Sequence, residues 1–239
     1  MSQPRSSEKA FLERYDPEQF DRPSVTVDVV LLTVRDESLR CLLFRRAEHP
    51  HRSRWALPGG FVGIGESLDE AAARVLREKA GLRDLYIEQL YTFGEPKRDP
   101  RARIISVAYY GLVPEQRLSS ANDGVLARLE EGASGSVRLV DAAGRSLQTA
   151  FDHGGIVAAA QARLRGKVDY APVGFELLPA TFPLRDLQRV HEAILGKAVN
   201  KDSFRRRMLA TGLLEATGDL EERVGHRPAQ SYRFAGRNA

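Results

Sequence analysis

Glu66, Glu70, Arg74 and Glu78 fall four residues apart in the segment GGFVGIGESLDEAAARVLREKAGL, residues 59–82. Carboxylates repeated along such a segment are the oxygen donors that a hard divalent cation such as magnesium requires. A cation held there would polarise a diphosphate and activate water. The same spacing also suits ion pairs along a helix surface, which is the simpler role for Glu70, Arg74 and Glu78. Ser67, followed by Glu70, forms a capping box that starts the helix, and Gly81 ends it. At about 100° per residue, Val75, Glu78 and Lys79 share one arc roughly 100° wide, while Ala72, Leu76 and Ala80 form the neighbouring arc expected to pack on a sheet. Lys79 therefore points where a cation would sit. At an effective dielectric near 20, an ammonium roughly 4 Å away repels each unit of positive charge by about 4 kcal/mol, so the lysine and a divalent metal exclude one another.

The elements that must position these residues lie on both sides. SVTVDVVLLTV (24–34) and LRCLLFRRA (39–47) read as a β-hairpin across RDES, LYIEQLYTFG (85–94) and IISVAYYGLV (104–113) as further strands. Strands before and after one amphipathic helix predict a mixed α/β sandwich within an α+β chain. Residues 119–166 are weakly patterned, with one helix expected in GIVAAAQARLRGKV. In FPLRDLQRVHEAIL (182–195), Leu184, Leu187, Val190, His191 and Ile194 recur at helical spacing, Pro183 suits the first turn and Gly196 stops the run. Asn200 caps a second helix, KDSFRRRMLATG, with Phe204, Met208 and Leu209 expected inward, and two short strands with a charged tip follow. Helix, helix and hairpin outline a winged helix-turn-helix.

Residues 59–82 resemble the Nudix box: Gly60, Glu66, Arg74, Leu76, Glu78, Gly81 and Leu82 match its pattern in register. Val75 and Lys79 depart from it, each standing where the family carries a magnesium-binding glutamate. The resemblance implies hydrolysis of a nucleoside diphosphate, and the two departures imply that it is lost or very weak, with no catalytic residue and no metal ligand left to assign. Two roles remain open for Lys79: taking the place of the metal against a ligand's pyrophosphate, or pairing with Glu66 or Glu78. QLYTFG, RDPR and SVAYYGLV resemble more narrowly the Nudix-related transcriptional regulators of NAD metabolism, which implies ADP-ribose or a related nucleotide as effector and no required cofactor. The effector site expected from this comprises Arg46, Trp55, Lys79, Phe93, Arg98, Asp99, Arg101 and Arg103, in which aromatic faces stack a base and guanidinium groups fork onto phosphates.

The C-terminal segments LLPATFPLRDLQRVHEAILG, KDSFRRRMLATGLLEAT and HRPAQSYRF resemble the winged helix of the same regulators. That implies double-stranded DNA as partner, a palindromic operator and a homodimer, with Lys201, Ser203, Arg205, Arg206, Arg207, Arg227 and Arg233 facing DNA. Residues 175–239 carry 11 Lys and Arg against 8 Asp and Glu, an excess that suits a polyanionic partner. The expected organisation is a polar arm (1–23), a Nudix-like α/β/α sandwich (24–168) and a winged helix-turn-helix (169–239). One cysteine excludes a disulfide framework, and the absence of a transmembrane run or signal peptide points to the cytoplasm. Two alternatives stay open: a magnesium-dependent hydrolase using Glu66, Glu78 and Glu70, and a regulator of the same architecture that responds to a sugar.

Overall fold

Strand β1 (Ser24–Arg35) is the axis of the fold. Val27, Val29 and Leu31 on one face, and Val30 and Leu32 on the other, are all fully buried. A strand apolar on both faces must be covered on both. The computed structural model describes residues 7–118, 124–132, 135–221 and 228–236. After a short helix α1 (Glu8–Leu12) and β1 come β2 (Ser38–Arg45), β3 (Trp55–Ala56), β4 (Gly59–Phe61), α2 (Leu68–Val75), β5 (Tyr86–Phe93) and β6 (Ile104–Leu112). β7 (Gly124–Glu131), β8 (Val137–Val140) and α3 (His153–Lys167) follow. The C-terminal unit holds β9 (Phe182–Pro183), α4 (Leu184–Leu195), α5 (Lys201–Ala210), β10 (Leu214–Leu220) and β11 (Gln230–Phe234).

The main sheet runs β5-β6-β1-β2-β7-β8, with β3 on β2 and β4 on β1. β1 and β6 are parallel, in register from Ser24 with Ile104 to Leu32 with Leu112, and the other pairs are antiparallel. β1 pairs its first part with β4 and its last with β2, so those two strands part company along one edge. α2 covers one face, packing Ala71, Ala72 and Val75 on Val27, Val29, Leu31 and Tyr109. α3 covers the other, placing Ile156, Val157, Ala160 and Leu164 against Val30, Leu43 and Tyr110. That second cluster continues without a break into Phe182, Leu187, Ile194 and Phe204 of the C-terminal unit.

Three local expectations need correction. Val75 does not share an outward arc with Glu78 and Lys79: it is 1% exposed and packs in the core. α2 runs on as a π-helical turn, Leu76–Ala80, whose wider winding separates position 75 from 78 and 79. Gly60 accommodates the packing, since a Cβ there would stand 3.2 Å from Val75 Cγ2. Leu209 lies on the outer side of α5, 42% exposed, and Pro183 is the residue before α4 rather than in its first turn. The weakly patterned region also holds β7 and β8. Their outer faces carry Arg128, Glu130 and Arg138, joined as a cross-strand ion ladder, which breaks the apolar signal.

Candidate functional site

The capping box at the start of α2 forms as its residue types dictate. Glu70 accepts hydrogen bonds from the Ser67 amide at 2.7 Å and hydroxyl at 2.9 Å, and both hold its carboxyl below the usual range. Arg74 forks onto Glu66 at 2.6 and 2.9 Å, reaches the Phe61 carbonyl at 2.9 Å and touches Glu78 at 3.4 Å. The fork, with the Gly63 amide 2.7 Å from Oε1, pushes the Glu66 carboxyl down to about 2. Glu66 and Glu78 are thus engaged by one guanidinium and Glu70 by the cap. Lys79 is exposed and forms no ion pair with Glu66, Glu78 or any other described residue. Among the described residues no group of three or more His, Cys, Asp or Glu is placed to hold a metal ion. With a buried valine, a free ammonium and an arginine on the remaining glutamates, this donor set does not fit magnesium.

Beside this segment, two cavities of about 360 and 240 Å³ share Arg46, Glu48, Ala56, Leu57 and Gly59 in their walls. Lys79 lines the first; Asp28, Phe61, Arg98, Asp99, Arg101, Phe151 and His153 line the second. The cleft therefore gathers five of the expected effector residues: Arg46, Lys79, Arg98, Asp99 and Arg101. The other three lie outside its walls. Trp55 pairs with Arg45 in the β2–β3 ladder, and strand alternation sends its neighbour Ala56 into the cleft while Trp55 packs against the core. Phe93 meets Tyr91 edge-on at 5.4 Å, and Arg103 donates to the Gly94 carbonyl at 2.7 Å.

Arg98 also differs from its expected role as an open phosphate contact. Its side chain is 3% exposed, forked onto Asp152 at 2.7 and 2.9 Å and 3.6 Å from Asp28. It ties the start of α3 to β1. His153, whose Nδ1 accepts from the Leu57 amide at 2.9 Å, completes that floor; burial holds it neutral, so Nε2 carries its proton, 3.6 Å from Asp28. The Ser106 hydroxyl donates to Asp28 at 2.5 Å. Asp99 is engaged by Arg101 at 2.7 Å, which lowers its carboxyl pKa, whereas Arg46 meets no carboxylate among the described residues. Sequence reasoning missed Asp28, Glu48, Phe61, Phe151 and His153. A signal existed for Asp28, a lone charge inside the apolar run SVTVDVVLLTV; the FDHGG stretch carries no such mark.

In the C-terminal unit, Asn200 accepts from the Ser203 amide at 3.0 Å and sets the start of α5. Burial of Phe204 and Met208 turns Lys201, Ser203, Arg205, Arg206 and Arg207 outward. Lys201, Arg205 and Arg206 form no ion pair among the described residues, while Arg207 is 3.4 Å from Asp169 and lies over the Phe204 ring. Arg233 pairs with Glu215 at 2.8 Å on the wing, and Arg227 lies outside the described residues. From α3, Arg165 donates to the Ile194 carbonyl at 2.9 Å, at the end of α4. No helix among the described residues is long and apolar enough to cross a membrane.

Comparison with known proteins places both units. Residues 23–141 match the NUDIX domain model and residues 174–234 the NrtR DNA-binding winged helix domain model. The chain is 37% identical over 236 residues to the ADPR responsive transcriptional repressor NtrR of Acinetobacter baylyi, covering 96% of this chain and 89% of that one. It resembles the crystal structure of Shewanella oneidensis NrtR complexed with a 27mer DNA, with a TM-score of 0.74, 36% identity and coverage of 88% of this chain and 93% of the other. The NUDIX domain of Shewanella oneidensis NrtR complexed with ADP ribose matches with a TM-score of 0.51 at 32% identity, over 66% of this chain and 99% of that domain. With two domain types in this order and a relative matched along nearly the whole length, the chain belongs to the NrtR family of Nudix-related transcriptional regulators.

Proposed function

We propose that the protein is a DNA-binding transcriptional repressor of NAD synthesis, salvage or uptake genes, and that its Nudix domain senses ADP-ribose or a related nucleotide instead of hydrolysing it. One observation carries the reading. Among the described cleft-lining residues Arg45, Arg46 and Lys79 meet no carboxylate and Glu48 alone meets no cation, an excess of positive charge, while Glu66 and Glu78 are held by Arg74. A diphosphate is attracted to that arrangement without a metal to bridge it. The family relatives with ADP ribose and with DNA are consistent with the same two partners here.

On this reading α5 enters the major groove with Lys201, Ser203, Arg205 and Arg206, and Arg207 and the wing contact the backbone. A homodimer sets two such helices about one DNA turn, roughly 34–36 Å, apart on a palindrome. Effector binding favours a dimer geometry in which that spacing fails. α3 is suited to carry the change, since Asp152 and His153 at its start line or adjoin the cleft and Arg165 near its end holds α4.

The test is operator binding by the purified chain at near-physiological salt, with and without ADP-ribose, the same sample being assayed with magnesium for AMP release. Specific binding weakened by ADP-ribose without turnover is the expected result. Rapid AMP release with only salt-sensitive, nonspecific DNA binding would make the protein a hydrolase.

A further inference from the structure

Phe151, in the wall of the cleft, and His51, whose ring touches it, hold a backbone conformation that bulky L residues seldom adopt. His51 has φ 60° and Phe151 φ 49°, and their rings meet edge to face with centroids 4.8 Å apart. Such strain persists only where the surroundings require it, and it gathers at sites of function. Core packing does not require it here: Phe151 is half-buried and belongs to neither apolar cluster. Cations gather round the ring instead. The Arg46 guanidinium lies 4.9 Å and that of Arg101 5.8 Å from the Phe151 centroid, and Arg101 also stands 5.6 Å from the half-exposed Phe61 ring. All four side chains line the smaller cavity, which adjoins the one that Lys79 lines.

We infer that Phe151, backed by Arg46 and Arg101, is the platform on which the planar base of a nucleoside diphosphate stacks, and that it makes the cleft prefer a nucleotide over a bare diphosphate. The inference rests on the proposed function. Bases stack on aromatic faces and on guanidinium planes, so this cluster offers a π-surface of both kinds. The phosphates fall to cations of the adjoining cavity, Lys79 and the far side of Arg46. A left-handed backbone two residues before α3 holds the ring in this wall, and the strain is retained for recognition rather than for stability.

The test compares the wild-type full chain with Phe151→Gly, Phe151→Ala and Phe151→Tyr. Calorimetric titration with ADP-ribose is set beside titration with inorganic pyrophosphate, which has no base. The glycine and alanine variants are expected to lose about tenfold in ADP-ribose affinity and to keep their pyrophosphate affinity, whereas tyrosine restores the nucleotide. Phe151→Gly should also unfold at a higher temperature than Phe151→Ala, because only glycine accepts φ 49° freely. Equal losses for both ligands would reduce Phe151 to a support for Arg46 and overturn the inference. Unchanged ADP-ribose affinity, or alanine as stable as glycine, would overturn it as well. A wild-type chain that does not bind the nucleotide would sink the proposed function and this inference with it, whereas one that binds it with an affinity that Phe151→Ala leaves unchanged would sink the base platform alone.

Discussion

Replacing Arg98 by methionine separates an anchoring role from a ligand-contacting one. The guanidinium is 3% exposed, forks onto Asp152 and lies 3.6 Å from Asp28. Methionine fills much of the volume but removes both charge contacts. Asp152, whose side chain is 28% exposed, can regain water. Asp28, 9% exposed, is left with the Ser106 hydroxyl and a neutral His153. Removing one partner of a buried pair costs about 3–5 kcal/mol, and the partial exposure of Asp152 places this case near the lower end, about 3 kcal/mol. Against a typical folding stability of roughly 5–15 kcal/mol that is a large fraction. Urea unfolding at pH 7.5, followed through the single Trp55 and by circular dichroism, reads the loss directly. Adding Asp28→Asn to Arg98→Met should recover part of it, because the uncompensated charge is gone. A loss below about 1 kcal/mol together with a large drop in ADP-ribose affinity would refute the anchor and return Arg98 to the ligand.

Other outcomes follow from single contacts. Lys79→Glu is expected to weaken ADP-ribose binding by about tenfold while leaving operator affinity without effector unchanged; calorimetry and fluorescence anisotropy read the two separately. Arg207→Ala should weaken all DNA sequences and reduce the slope of log affinity against log salt by about 0.9, the value for one lost phosphate contact; an unchanged slope would take Arg207 off the backbone. His191 is 3% exposed, burial lowers its pKa to about 4, and its Nδ1 has no hydrogen-bond partner among the described residues. The unfolded chain binds this proton near pH 6.5, the folded chain only near 4, so stability is full above about 6.5 and falls as pH drops toward 4. The loss is on the order of 3 kcal/mol, and His191→Leu should flatten that part of the urea-midpoint profile between pH 7.5 and 5.

How much could be read in advance depended on how local the interaction was. The helix-starting signals at Ser67 with Glu70 and at Asn200, the stops at Gly81 and Gly196, and the buried face of α4 all formed as their residue types implied, because each involves partners within a turn or two. The order of units was legible for the same reason, strands and helices announcing themselves by period. β7 and β8 were hidden because their ion ladder exists only once the strands pair.

Residue types and local spacing by themselves determined the helix-and-strand outline, the box with its two departures, and the basic second helix of the winged unit. Tertiary structure alone decided the charge of the cleft. Whether Lys79 was paired or free turned on Arg74, whose one guanidinium reaches both Glu66 and Glu78 across the turn from β4 into α2. Whether Arg98 offered charge to a ligand or buried it turned on Asp28 and Asp152, set 124 positions apart in sequence and joined only because β1 runs beside the start of α3. Phe151 entered the cleft by the same convergence. An ion pair or a ring platform is made by distances between elements, and one-dimensional spacing does not contain them.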